Sequence, residues 1–122
     1  MAPPPMHLDS KWILLVVIAA VAAWWVLRQR NLAARSASAH AAVQAGARIV
    51  DVRTPEEFQA GHIDGAINIP LADLGRRLSE VGSKKQGVVV YCRSGMRSAS
   101  ATRVLLESGF ANVVDLGPMS AW

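Results

Sequence analysis

Two hydrophobic patterns divide the chain. From Trp12 to Leu27 it reads WILLVVIAAVAAWWVL, sixteen residues with no charge and no polar face. As a helix this run is about 24 Å long, against a hydrocarbon core of about 30 Å. Lys11 and Arg28 flank it, where long basic side chains can snorkel, and Trp12, Trp24 and Trp25 suit the two membrane interfaces. Burial in a soluble core is the bland alternative, but the remaining chain is too small to enclose a helix apolar on every side. A cleaved signal peptide is the stronger alternative, because Ala20-Val21-Ala22 and Ala37-Ser38-Ala39 both have the small-x-small pattern of a cleavage site. Flanking charge favours a retained anchor. One Lys offset by Asp9 precedes the run and three Arg follow it, a bias that leaves the N-terminus outside and the C-terminal part in the cytoplasm. The expectation is a leader over 1–11 containing Pro3-Pro4-Pro5, a transmembrane helix over 12–27 and a basic, Ala/Ser-rich linker over 28–37.

From residue 38 the pattern changes to short apolar runs separated by helical spacings. Ser38 to Ala45 predicts a short helix stopped by Gly46. Ile49-Val50-Asp51-Val52 is a β-branched run. Thr54-Pro55-Glu56-Glu57 follows, a capping box with Pro at the first helical position. Ala66 to Ile69 reads as a second strand, ended by Pro70. Leu71 to Val81 has apolar residues at 71, 74, 78 and 81, which predicts a helix. Gly87 to Tyr91 is nearly continuous in apolar residues, as for a strand buried on both faces. Ser98 to Ser108 predicts a helix closed by Gly109, and Asn112 to Leu116 a last strand. Alternating strands and helices imply parallel pairing through right-handed crossovers, hence a three-layer α/β domain over 38–122 around a central parallel sheet.

Composition narrows the classes. A length of 122 residues allows one domain. With 52% hydrophobic and 18% charged residues and a mean hydropathy of +0.24, the chain is too apolar for disorder. One Cys excludes an internal disulfide framework and a four-Cys zinc site, and His7, His40 and His62 show no metal-ligand spacing. The formal net charge of +4 is concentrated after the apolar run, in Arg28, Arg30 and Arg35. From residue 48 onward nine Lys/Arg face eight Asp/Glu, so there is no nucleic-acid footprint. No nucleotide or organic-cofactor motif is present.

Cys92 directly follows the apolar strand, and Arg93-Ser94-Gly95-Met96-Arg97 then lead into a helix. Ligands bind at the carboxyl ends of strands in such sheets. A tight loop there can turn backbone N–H groups inward as an anion nest, backed by a helix N-terminus. Gly95 permits a positive φ, and Arg93 and Arg97 add positive charge. Each feature favours a thiolate, the nucleophilic form. The alternative is a buried structural Cys, for which a loop rich in Arg, Ser and Gly is a poor apolar pocket.

The run Val50-Asp51-Val52-Arg53, with Glu57-Phe58, Gly61-His62-Ile63, Gly65-Ala66 and Asn68-Ile69-Pro70, resembles the opening half of a single-domain rhodanese. Tyr91 to Ser98 resembles its active-site loop, and Gly109-Phe110, Val113 to Gly117 and Trp122 its closing segment. The resemblance covers about residues 38–122. It implies an α/β fold and transfer of a sulfane sulfur, from a donor such as thiosulfate to cyanide or a thiol, through a cysteine persulfide. It implies Cys92 as the nucleophile, and the backbone N–H groups of residues 93–97, including Ser94 and Gly95, as the cradle of the transferred sulfur. Arg93 and Arg97 would attract thiosulfate and stabilise departing sulfite. Met96 would line or cover the mouth. Arg53 is a candidate at the rim, with a structural ion pair to Glu57 or Asp51 as the alternative. Asp51 is expected to fix the strand-to-loop backbone, Glu57 to cap a helix, and His62 to hydrogen-bond within its turn.

Protein tyrosine phosphatases, and the phosphatases that share this fold, place one residue more between Cys and Arg than the four between Cys92 and Arg97. The shorter loop suits a sulfur atom rather than phosphate or arsenate, and the lack of a second Cys removes a resolving step. Two departures from the family pattern stand out. Gly117-Pro118 replaces a common Gly-Gly pair, and the usual first strand is not visible before residue 48. The expectation is a sulfurtransferase without metal or cofactor, anchored in a bacterial-type inner membrane with its domain cytoplasmic, or exported if the leader is cleaved. Its partners would be a small sulfur-containing anion, a thiol acceptor and a membrane protein. A tethered sulfur-carrier or binding module is the second reading.

Overall fold

A computed structural model describes residues 1–4 and 9–122. The expected leader falls partly on residues 5–8, outside the described residues. The chain forms two compact units, Met1–Asn31 and Leu32–Trp122. A helix, α1, runs over Ser10–Gln44, so the stretches expected as linker and separate short helix are continuous with the apolar run. The reason is local: no Gly or Pro interrupts residues 11–45, and Ala, the best helix former, dominates after Asn31. The apolar part of α1 is long and hydrophobic enough to cross a membrane, and its side chains are exposed. Arg28 lies over the Trp24 ring at 5.4 Å. The helix ends at Gly46, where the Ala47 and Gly46 N–H groups donate to the Ala42 and Val43 carbonyls.

The second unit contains a four-stranded sheet in the order β2-β1-β3-β4, with every pair parallel. The strands are β1 (Arg48–Asp51), β2 (Ile67–Asn68), β3 (Val88–Cys92) and β4 (Val113–Pro118). All five residues of β3 are buried. Val88, Val90 and Cys92 join one core cluster, with Leu74, Val81, Ala101, Leu105 and Phe110. Val89 and Tyr91 join the other, with Ala39, Ile49, Ile63 and Leu116. The first layer comes from α3 (Leu71–Leu74), α4 (Leu78–Val81) and α5 (Met96–Glu107). The opposite layer is the C-terminal part of α1 with the turn around Ile63 and a 3₁₀ turn, Met119–Ala121. This is the expected three-layer α/β arrangement.

Two local expectations need correction. The single helix over 71–81 is two short helices, separated at Gly75 and Arg77. Gly is about 1 kcal/mol poorer than Ala in a helix interior. The segment advances by three-residue hydrogen bonds, Arg76 N–H to the Asp73 carbonyl and Arg77 N–H to that of Leu74. Leu71, Leu74, Leu78 and Val81 still meet one cluster, so the periodicity marked a buried face rather than a continuous helix. Secondly, α5 begins at Met96, two residues earlier than expected, because Gly95 serves as its N-cap.

The departure at Gly117-Pro118 is accommodated by a bulge. Val90 pairs with Asp115 but Tyr91 with Gly117, so β4 gains one residue before Pro118 ends it opposite Cys92. Gly117 has φ +82, a left-handed conformation that a side chain would strain, so the position favours glycine.

Tyr91, buried in the second cluster, accepts a 3.1 Å hydrogen bond from Ile63 N–H. Burial raises its phenol from 10.0 to about 12. It is the chain's one tyrosine, so phenolate absorbance reports it alone. We expect the native midpoint near 12, and the associated stability to be complete below pH 10 and lost as pH rises through about 12. A native midpoint at 10 would contradict the packing of this face.

Candidate active site

The site is built where β3 ends. Cys92 is the last residue of that strand and has no exposed surface. The chain then turns through Arg93, Ser94 and Gly95 into α5. Gly95 takes φ +97, a left-handed conformation that a side chain would strain. That turn brings Gly95 N–H to 3.0 Å and Ser98 N–H to 3.4 Å from Cys92 Sγ. The sulfur therefore sits against two backbone donors at the first turn of a 12-residue helix, where the helix dipole favours negative charge. Ser98 is buried, and its hydroxyl donates to the Gly95 carbonyl at 3.0 Å, which ties the loop to the helix. Gly95 also packs on Gly117: a Cβ at 95 would lie 3.6 Å from Gly117 Cα.

The cradle differs in detail from the one expected of residues 93–97. Within that run Gly95 donates to Sγ, and the second donor is Ser98, one residue beyond it. The helix start shifted by two residues is what places Ser98 there. Cys92 is also buried, as its alternative reading supposed, yet its sulfur meets N–H groups rather than hydrocarbon alone.

The arginines divide sharply. Arg93 is exposed and, among the described residues, has no carboxylate partner. Ser94 is exposed on the loop, and Met96, the first residue of α5, is 79% exposed. Arg97 is clasped by Glu57, Nη1 to Oε1 at 2.7 Å and Nη2 to Oε2 at 3.1 Å. The Glu57 hydrogen bonds raise the Arg97 pKa, and Cys92 adds a smaller electrostatic push in the same direction. The cation expected to face the donor is thus paired. Glu57 is also more than a cap. It completes the box with Thr54, whose Oγ1 accepts from Glu57 N–H at 3.2 Å, at the start of α2 (Pro55–Ala60). Sequence spacing revealed the cap and missed the clasp, because Glu57 and Arg97 are 40 residues apart and meet only through the parallel sheet.

Arg53, expected at the rim, takes its alternative role. It is buried, its Nη2 donating to Asp51 Oδ2 at 2.7 Å and to the Gly61 carbonyl at 2.6 Å. Asp51 raises the Arg53 pKa. Asp51, with no exposed surface, also accepts from Arg53 N–H at 2.9 Å and so fixes the turn after β1. His62 is an exposed turn residue: its Nδ1 bonds the Phe58 carbonyl at 2.8 Å and its ring stacks on Phe58 at 3.7 Å.

Comparison with known proteins identifies the fold and the family. Residues 33–122 match the rhodanese-like domain. The chain is 44% identical to thiosulfate sulfurtransferase 16, chloroplastic, of Arabidopsis thaliana, over 69% of this chain and 80% of that protein. It is 42% identical to thiosulfate sulfurtransferase PspE of Escherichia coli, over 56% of this chain and 66% of that one. Among solved structures, a rhodanese with anions from E. coli superposes with a TM-score of 0.61 at 37% identity, covering 63% of this chain and 92% of the other.

Two outcomes test this geometry. Asp51→Asn leaves the Arg53 charge buried without its partner and should cost about 3–5 kcal/mol in chemical denaturation; a change within error would contradict the pairing. Arg97 holds the Glu57 carboxyl at about 2, below its ordinary 4.5. The clasp therefore contributes stability above pH 4.5 that is lost as pH falls through about 2, and a carboxyl titration of Glu57 at its ordinary value would contradict it.

Proposed function

The chain belongs to the rhodanese-like domain family, and on that premise we propose that it is a sulfurtransferase carrying sulfane sulfur on Cys92. The observation that carries the reading is the pair of backbone N–H groups, from Gly95 and Ser98, directed at Cys92 Sγ. The thiolate attacks the outer sulfur of thiosulfate, a new S–S bond forms, and the donor's S–S bond breaks to release sulfite. The charge of the thiolate ends on the terminal persulfide sulfur. Cyanide or an acceptor thiolate then attacks that terminal sulfur, and the bond to Cys92 breaks with its electrons returning to Sγ. Thiocyanate or the acceptor persulfide leaves. Both steps are displacements at sulfur and need no metal, redox partner or general base beyond an ionised thiol. Fixed N–H dipoles suit them, because the negative charge held by the protein rests on sulfur, first on Sγ and then on the terminal sulfur.

The domain occupies residues 38–122 in this reading, extended by the end of α1. It is anchored through residues 12–27 in a bacterial-type inner membrane, with the domain on the cytoplasmic side, where a lone Cys stays reduced and thiol acceptors abound. A membrane protein is then a natural sulfur donor or acceptor. The complete enclosure of Cys92 favours one second reading, a tethered sulfur carrier that loads and unloads slowly.

Thiosulfate and cyanide supplied to the full chain in neutral detergent should yield thiocyanate, and Cys92→Ser should abolish it. No thiocyanate from folded protein whose Cys92 nevertheless gains sulfur would favour the carrier; no sulfur on Cys92 from any donor would overturn both.

A further inference from the structure

Three charges surround the loop and only one is uncompensated. Arg97 is neutralised by Glu57, and Arg53 by Asp51. Arg93 stands exposed without a carboxylate partner among the described residues. Glu57 is placed by the capping box. It is the third residue of α2, and the Thr54 N–H and Oγ1 lie 3.5 and 3.3 Å from its Oε1 while its own N–H bonds Thr54 Oγ1. A donor that draws Arg97 toward itself therefore leaves that carboxylate beside it. Both terminal nitrogens of Arg97 bond that carboxylate, so a bound donor shares the one guanidinium charge with Glu57 through the N–H groups left over. Apart from the exposed Arg93, the second charge of a dianion gains no cation at the loop and meets a negative neighbour.

We infer that Glu57 is a specificity-determining residue that favours sulfane-sulfur donors of single negative charge over doubly charged thiosulfate. The inference rests on the sulfurtransferase reading and concerns how the charge of Glu57 ranks monoanionic persulfides and thiosulfonates against thiosulfate. With a thiosulfonate, the Cys92 thiolate takes the terminal sulfur and the sulfinate leaves with the bonding pair, so the step balances as it does for thiosulfate. Glu57→Gln keeps the helix cap and removes the charge, which makes it the direct probe.

Thiosulfate and benzenethiosulfonate are compared as donors to the wild type and to Glu57→Gln, with cyanide as acceptor. The variant should lower KM for thiosulfate by about three- to tenfold, and that for benzenethiosulfonate by clearly less. Equal shifts for the two donors would overturn the inference. A second readout does not depend on turnover. Cys92 is the chain's one cysteine, so intact mass follows its alkylation alone. Iodoacetate and iodoacetamide need the same opening to reach it and differ in charge. Their rate ratio should rise severalfold in Glu57→Gln and fall in Arg97→Gln, which serves if the first variant does not fold. An unchanged ratio in the folded variants overturns the inference whatever the kinetics show. If the wild type turns over neither donor, the sulfurtransferase reading fails, and the ratio still decides the role of Glu57.

Discussion

Cys92 belongs to β3 and to the loop after it, and that double membership constrains the rest of the site. As a strand residue it pairs with Pro118 of β4 and follows four buried residues of β3, so its Cα and Cβ have little freedom. As the first residue of the loop it must present its sulfur to the N-terminus of α5 within three residues. Only a left-handed turn closes so quickly, which is why Gly95 stands at φ +97 and caps the helix itself. The two N–H groups on Sγ follow from that closure. Gly117 supports it from β4, and the bulge before it lets the strand end with a proline.

Charge is organised as pairs around this point. Asp51 and Arg53 form a buried pair that sets the turn after β1, with the Arg53 guanidinium 5.6 Å from the Tyr91 ring centroid. Glu57 and Arg97 form a half-exposed pair between α2 and α5, joining the two segments that follow β1 and β3. Such pairs give orientation more than stability, since the desolvation of each charge offsets much of the attraction. At the loop the result is a cradle made by backbone dipoles, with the side-chain cations largely compensated. That favours chemistry in which the charge held by the protein rests on sulfur, rather than on a tetrahedral oxyanion needing a dedicated arginine.

The fold was legible because its signals are local. The two-faced strand read at 87–91 and formed at 88–92, the capping box at Thr54–Glu57 and the Cys-to-Gly loop can each be read from a few neighbours. Periodicity failed at 71–81, where apolar spacing identified the buried face but Gly75 broke the helix. The continuity of α1 was obscured because an abrupt change from apolar to basic residues looks like a boundary, although the backbone sees mostly alanine. Arg53 and Arg97 show the deeper limit. Both are arginines near strand ends, and their partners depend on which carboxylate the sheet brings close. Asp51 is two residues from Arg53, so that pair was foreseeable, whereas Glu57 is 40 residues from Arg97. Ser98 was missed as a donor to the sulfur for a smaller reason, the two-residue shift in the start of α5.

The central claim is that Cys92, in its cradle of N–H groups, carries the transferred sulfur. Intact-mass measurement of the full chain after thiosulfate treatment tests it most directly. The account predicts a gain of one sulfur atom, removed by cyanide and absent in Cys92→Ser. A wild-type mass unchanged by thiosulfate and by thiosulfonate, or a gain that survives in Cys92→Ser, would contradict it.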